Sequence, residues 1–149
     1  MGYQALLSST NTVESTAIGY RALATEDGVS HYNVAIGPRA GENITTGYSS
    51  TLIGRNAGNA YTTQGNNVGI GHQVLAANTG GQNTAVGRNA GAALTTTGYN
   101  TFIGYEAGDA NTGEYNVGVG GNALGDGSSA VDQSTAIGYN ALASADSSY

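Results

Sequence analysis

A glycine recurs along the whole chain at a spacing of 16 to 18 residues, and the residues around it recur with it. The segment NTAVGRNAG, from Asn83 to Gly91, is one of nine copies. The copies align on Gly2, Gly19, Gly37, Gly54, Gly71, Gly87, Gly104, Gly120 and Gly138. A short period with slack of one residue is typical of a solenoid, in which each repeat is one coil. The spacing therefore predicts a single repeat array over residues 1–149.

Two β-branched columns precede each glycine, where a column is the set of residues at one position of successive repeats. The residue directly before the glycine is Ile18, Ile36, Ile53, Ile70, Val86, Ile103, Val119 or Ile137. Two positions earlier stands Thr16, Val34, Thr51, Val68, Thr84, Thr101, Val117 or Thr135. β-branched residues spaced by two favour a strand, and no stripe of period 3.6 indicates a helix. The predicted fold class is all-β, a parallel β-solenoid with coils of about 17 residues.

The column between these two contains no polar side chain. Its members are Ala17, Ala35, Leu52, Gly69, Ala85, Phe102, Gly118 and Ala136. A strand that is apolar on both sides is buried on both sides, one inside its own coil and one under a second layer. We expect the Ile/Val column to be the buried core of the assembly. We expect an inter-chain face at Ala17, Ala35, Leu52, Ala85, Phe102 and Ala136.

A second apolar position follows the glycine. The third residue after it is Ala in eight copies and Val74 in the ninth, and the fourth is Leu or Gly. Where the fourth is Gly, a bulky residue stands three positions later in three copies: Ile44 after Gly41, Tyr61 after Gly58 and Leu94 after Gly91. We call the large apolar side chain that fills the core of a coil its plug. We infer that in these copies the plug comes from a later position in the loop. Gly108, followed by Asn111, breaks this rule.

Composition excludes several classes of function. The net charge is −6 and the only cations are four Arg, which argues against binding to nucleic acid through its phosphates. The chain contains no apolar run of about 20 residues, so no membrane span is predicted. The absence of Cys excludes disulfides and thiolate zinc sites. His31 and His72 occupy different repeat positions, so we predict no enzyme activity, no cofactor and no metal.

Three polar columns are candidates for a surface role. An Asn/Ser column, four residues before the glycine, is interpreted as a hydrogen-bonded stack at a coil corner. The candidate contact surface is Tyr20, Tyr105, Tyr139, Arg55 and Arg88, which follow the glycine and would either bind a partner or cap a coil edge. The Thr/Val column is interrupted by three Val, and its Ile neighbours are expected to be buried, which argues against ice binding.

Two known families contain similar repeats. The runs STAIG (Ser15–Gly19 and Ser134–Gly138) and NVAIG (Asn33–Gly37) resemble the head repeat of YadA-type trimeric autotransporter adhesins. The run STAIGYNAL (Ser134–Leu142) resembles the NTAIGYxAL repeat of phage tail-fibre proteins. The resemblance implies a left-handed parallel β-roll, a homotrimer of chains packed side by side, and an extracellular location on a virion fibre or cell surface. The adhesin repeat usually carries Ser where this chain has Ala or Val74, so no ligand residue is transferred.

The expected function is mechanical. The chain would be a rigid shaft or surface filament unit, about 40 Å tall at roughly 4.8 Å per rung, with adhesion through its loops as a secondary role. Its expected partner is itself, with a cell-surface glycan or matrix protein as a further one, and neither nucleic acid nor membrane insertion is expected. Two alternatives remain: a head-to-tail self-assembling extracellular filament subunit, and a glycan- or matrix-binding module.

Overall fold

Eight short strands form one continuous parallel sheet. The computed structural model describes residues 2–9, 14–27, 31–125 and 131–143. The strands are β1 (Thr16–Ile18), β2 (Val34–Ile36), β3 (Thr51–Ile53), β4 (Val68–Ile70), β5 (Thr84–Val86), β6 (Thr101–Ile103), β7 (Val117–Val119) and β8 (Thr135–Ile137). Each strand pairs with the next along the chain, in the order β1 to β8. The described residues contain no helix. The prediction of an all-β parallel solenoid with coils of about 17 residues is confirmed.

The pairing register is the register of the repeat. Thr51 pairs with Val68, Leu52 with Gly69 and Ile53 with Ile70, and the same three columns pair throughout the sheet. Every column of the sequence is therefore a vertical row in space, with one residue per rung at roughly 4.8 Å. A pattern that recurs along the sequence becomes a continuous stripe on the molecule.

The coil turns where residues adopt the left-handed conformation. The second and fourth residues after the motif glycine have φ near +55°, for example Arg39 at 59° and Leu75 at 50°. A β-branched side chain is a steric outlier at such a φ, and none of the non-glycine residues found there is β-branched. This restriction explains why Ile, Val and Thr are absent from these turn positions.

Backbone conformation and the close approach of the next rung both require glycine at the motif position. Gly71 has a φ of +145°, which other residues rarely adopt, and a Cβ placed on it would lie 2.3 Å from the carbonyl oxygen of Gly87 on the next rung. Successive rungs therefore touch backbone to backbone at this column. Any side chain here forces the rungs apart.

The two faces of the strands are the reverse of what the sequence suggested. The middle residue of each strand points into its own coil, and Phe102 is fully buried there. The prediction of an inter-chain face at Ala17, Ala35, Leu52, Ala85, Phe102 and Ala136 is therefore wrong, because these side chains are already buried within one chain. The interior of the coil is thin, so the column of small residues is the one that fits inside.

The Ile/Val column is outside. Ile18, Ile36, Ile53, Ile70, Val86, Ile103, Val119 and Ile137 are all half-buried or exposed, with Ile103 42% exposed. They are not buried within the coil, and the expectation of an Ile/Val core is wrong for the single chain. The Thr/Val column two residues earlier is likewise half-buried or exposed, because alternate residues of a strand share a face.

The movable plug is confirmed. Ile44, Tyr61 and Leu94 are fully buried in the copies whose fourth residue after the glycine is Gly. A Cβ on Gly58 would lie 2.8 Å from Leu52 Cδ1. A side chain at this position would therefore collide with the core side chains that fill the space in this coil.

The exception at Asn111 has a physical reason. A Cβ on Gly108 would lie 2.5 Å from Phe102 Cε1, which shows that the Phe102 ring fills the space that a plug takes elsewhere. Asn111 is therefore free to be polar, and its Oδ1 accepts a hydrogen bond from Gly113 N at 2.8 Å. Gly118 lies next to the same ring, and a Cβ on it would lie 3.0 Å from Phe102 Cδ1.

Candidate interaction surfaces

The outward side of the sheet is a tall, uncharged surface that we call the strand face. It consists of the first and third residues of each strand: Thr16, Ile18, Val34, Ile36, Thr51, Ile53, Val68, Ile70, Thr84, Val86, Thr101, Ile103, Val117, Val119, Thr135 and Ile137. Every one of them is half-buried or exposed. They are all β-branched, so their χ1 angles are restricted before any partner arrives. Little side-chain entropy is lost when such a surface is covered.

This face changes the argument about ice binding. One reason against that function was an Ile column buried inside the coil, and the structure places the column outside. The other reason stands, since Val34, Val68 and Val117 interrupt the Thr column and leave no continuous hydroxyl row. The exposed columns are more apolar than polar.

The residues that follow the motif glycine line the corner beside the strand face. Tyr20, Tyr105, Tyr139, Arg55 and Arg88 all lie in this corner column and are exposed. Their role as a contact surface stays a prediction. The column nevertheless places them on one edge of the solenoid rather than at scattered loops.

Two neighbours in the corner column interact directly. Arg88 Nη1 donates a hydrogen bond to the Tyr105 hydroxyl at 3.1 Å, and its guanidinium carbon lies 5.4 Å from the ring centroid. A hydrogen bond with Glu106 raises the pKa of the Tyr105 hydroxyl, and Arg88 opposes that shift. Tyr3 and Tyr20 stack with centroids 5.9 Å apart and an interplanar angle of 6°. The corner side chains are thus ordered by contacts between rungs.

A second Tyr column lies on the other side of the strand face. Tyr99 and Tyr115 stack with centroids 4.9 Å apart and an interplanar angle of 8°. Stacked rings cover each other's faces and leave edges and hydroxyl groups exposed. This pair is therefore a poor platform for a ligand that must lie flat on a ring.

The Asn/Ser column is structural. Asn67 Oδ1 accepts from Asn83 N at 2.9 Å, Asn83 Oδ1 from Asn100 N at 2.9 Å, and Asn100 Oδ1 from Asn116 N at 3.0 Å. These Asn side chains are buried. The interpretation as a hydrogen-bonded stack at a corner is confirmed, and the side-chain oxygens are already used within the chain.

A buried polar cluster was missed from the sequence. Glu26 is fully buried, and its Oε1 accepts from Ser15 Oγ at 3.0 Å and from Asn33 Nδ2 at 2.7 Å. His31 Nδ1 lies 3.3 Å from the same oxygen. The Ser15 hydroxyl is thus bonded to the carboxylate and not to the imidazole, so the arrangement does not activate a nucleophile. The signal that could have found it is the plug position, which Glu26 occupies because Leu23 plugs that coil.

Two of the four Arg belong to another polar cluster. Arg21 Nε lies 2.9 Å and Arg39 Nε 3.5 Å from the carboxylate oxygens of Glu42, which is largely buried. Among the residues that the structure describes, Arg55 and Arg88 have no carboxylate within salt-bridge distance. These two corner Arg are therefore not held in salt bridges, and Arg88 instead contacts Tyr105.

No group of three or more His, Asp or Glu is placed to hold a metal ion in the described ranges. Nor do those ranges contain a helix long and apolar enough to cross a membrane. The chain matches no protein-family model, no curated protein and no solved structure.

Proposed function

We propose that this protein is the structural unit of an extracellular fibre. In this proposal three chains pack side by side as parallel left-handed coils and form a rigid shaft, with loop-mediated adhesion as a secondary role. The observation that supports it best is the strand face. It is uncharged, rich in Ile and Val, and open along the whole sheet.

The size of the strand face fits an interface. Seven rung intervals of roughly 4.8 Å make it about 34 Å tall, and a width of about 10 Å gives on the order of 350 Å². The largest apolar patch on a typical single chain measures about 300–600 Å² and often has a function. A tall, narrow face of this kind suits packing around a shared axis, where each chain meets two neighbours.

The repeat spacing favours a second copy of the chain as the partner. Side chains on the strand face recur once per rung, and only a partner with the same rung spacing can pack between them over the full height. A second copy of the chain has the same rung spacing, because its repeats are the same. Its Ile and Val columns would interdigitate with those of the first chain without any change of register.

The rest of the coil suits a load-bearing role. Its rungs are joined by backbone hydrogen bonds on several sides, for example Thr51 N to Asn67 O at 2.8 Å and Gly58 N to Val74 O at 3.0 Å. The buried Asn stack adds a side-chain bond at the corner of each rung. A pull along the axis is opposed by many such bonds at once.

Light scattering of the purified chain, with negative-stain electron microscopy of the same sample, tests the proposal. We expect a particle of three times the mass of one chain. The double variant Ile53→Ser/Ile103→Ser should shift the mass towards one chain while the circular dichroism spectrum is kept. A matched control, Thr46→Ser/Thr63→Ser, alters exposed loop positions and should leave the mass unchanged. Long filaments of constant width would indicate head-to-tail stacking instead, and a folded monomer at all concentrations would contradict both forms of assembly.

A further inference from the structure

Three nitrogen-bearing side chains stand on consecutive rungs at the same corner: Arg55, His72 and Arg88, which we call the cation column. Arg55 and Arg88 are exposed, and His72 is half-buried. The backbone beneath them is fixed, because Arg55 O accepts from the next rung at 2.9 Å, His72 O at 3.0 Å and Arg88 O at 2.9 Å. The three side chains therefore project from a rigid row at intervals of about 4.8 Å.

The two Arg of this column carry its positive charge, and neither forms a salt bridge with a described residue. The other two Arg of the chain are held by Glu42, whereas Arg55 and Arg88 have no ion-pair partner among the described residues. The chain has a net charge of −6, but charges in solvent are screened over about 8 Å at physiological ionic strength. Distant acids therefore do not cancel the field at this corner, and the near one, Glu106, accepts a hydrogen bond from Asn89 Nδ2 at 3.4 Å.

An amide side chain lies next to each member of the cation column. These are Asn56, Gln73 and Asn89, which we call the amide column. An amide both donates and accepts hydrogen bonds, as a sugar hydroxyl does. On the rung before, the same position is Arg39, which is paired with Glu42, and on the rung after it is Glu106. Cations and amides are thus combined on the same three rungs, with acids or paired Arg on either side.

We propose that the cation column and the amide column form a binding site for an acidic polysaccharide that lies along the solenoid axis. Sulfate or carboxylate groups would contact the guanidinium and imidazole groups, and ring hydroxyls would bond to the amides. The inference deepens the secondary adhesive role of the proposed fibre. It requires the solenoid but not the trimer, since the site lies past the motif glycine, outside the strand face.

The geometry favours a polysaccharide over a nucleic acid. Single-stranded nucleic acids are bound by a cationic groove together with open aromatic faces on which bases stack. Here the ring next to the cation column, Tyr105, is engaged by Arg88, and a Cβ on Gly121 would lie 3.2 Å from Tyr139 Cδ2, so that Tyr139 leans over the preceding rung. An acidic sugar chain needs no open aromatic face for stacking, and its hydroxyls match the amides.

The test measures binding of dextran sulfate and polygalacturonate by biolayer interferometry, with uncharged dextran and poly-dT as comparison probes. We expect the two acidic polysaccharides to bind, dextran not to bind, and affinity to fall as salt rises. Arg88→Gln and Arg55→Gln should each weaken binding roughly tenfold. Arg39→Gln removes the same charge from an exposed side chain outside the column and should change binding less than twofold. Gln73→Ala, which leaves the charge intact, should weaken binding several-fold.

Three results would overturn the inference. They are no binding by the wild-type chain, an equal loss in Arg39→Gln and Arg88→Gln, and tighter binding of poly-dT than of either polysaccharide. Light scattering on the same samples reports assembly separately. A chain that binds the polysaccharides but does not assemble would refute the shaft and keep the site, and the opposite result would keep the shaft alone.

Discussion

Phe102 and Ile103 are neighbours in β6 whose side chains lie on opposite sides of the sheet. Phe102 is 0% exposed and fills the coil beside Gly108 and Gly118, whereas Ile103 is 42% exposed on the strand face. Truncation of each to Ala therefore tests which side of the strand is the core of the single chain. The two variants share the same strand and nearly the same height on the molecule.

The expected costs differ several-fold. Phe102→Ala removes a fully buried ring from a thin core and should lower the free energy of unfolding by about 3–5 kcal/mol. Burying a whole Ile side chain is worth about 1.5–3 kcal/mol, so the half-buried Ile103 should cost roughly 1 kcal/mol when truncated in a single chain.

Urea unfolding followed by circular dichroism measures both values, at protein concentrations where light scattering shows one chain per particle. At higher concentration we expect the midpoint of the wild type to rise with concentration, because association stabilises the folded state. That rise should shrink in Ile103→Ala. Equal costs for the two variants at low concentration, or a larger cost for Ile103→Ala, would refute the assignment of the faces.

Three further predictions test single contacts. Gly71→Ala should prevent stable folding or cost more than about 3 kcal/mol, since the added Cβ meets the next rung's carbonyl at 2.3 Å and φ is +145°; a thermal melt like that of the wild type would contradict this. Burial raises the pKa of the Tyr61 hydroxyl well above 10, against the hydrogen bond from Asn78. The unfolded chain loses this proton as the pH rises through about 10 while the folded chain keeps it, so stability should begin to fall above about pH 9 and keep falling towards the higher folded-state pKa, and it should fall less in Tyr61→Phe; equal slopes in urea titrations would speak against it. Asn100→Ala should cost about 1–3 kcal/mol by breaking the buried stack, whereas Asn43→Ala at an exposed site should cost under about 1 kcal/mol.

Much of the fold follows from the spacing of two residue types. Glycine every 16 to 18 residues, with β-branched residues before it, predicts the coil, the strands and their register. The moving plug was also predictable, because the loss of a side chain at Gly41 or Gly58 is matched by a gain at Ile44 or Tyr61. These features depend on local sterics and on conservation of core volume within one coil.

The side of the strand that faces inward was not predicted correctly. A three-residue strand that is apolar throughout has no polar side to mark the outside, and the larger Ile residues suggested a core. The useful signal was size compensation between rungs. Leu52 and Phe102 are each followed on the next rung by glycine, Gly69 and Gly118, as side chains in a packed interior must be. The Ile/Val column shows no such exchange.

The buried acid was missed for a different reason. Glu26 stands at a loop position that is Ser9 in the coil before and Ile44 in the coil after, and its partners Ser15 and Asn33 come from other parts of the repeat. Only the folded coil brings these groups together. The sequence likewise could not show which Arg form salt bridges. Only the structure shows that Glu42 pairs with the other two Arg and not with Arg55 or Arg88.

The central claim is that the strand face is outside the coil and is covered by another copy of the chain. Because the chain has no Cys, the alkylation rate of one introduced thiol measures this directly. In Ile103→Cys we expect slow alkylation at concentrations where several chains associate and fast alkylation on dilution. A thiol introduced by Thr62→Cys, on an exposed loop, should react fast at both. Fast alkylation of the Ile103→Cys variant at every concentration would show that no copy covers the face, and slow alkylation even in the single chain would show that the face lies inside the coil.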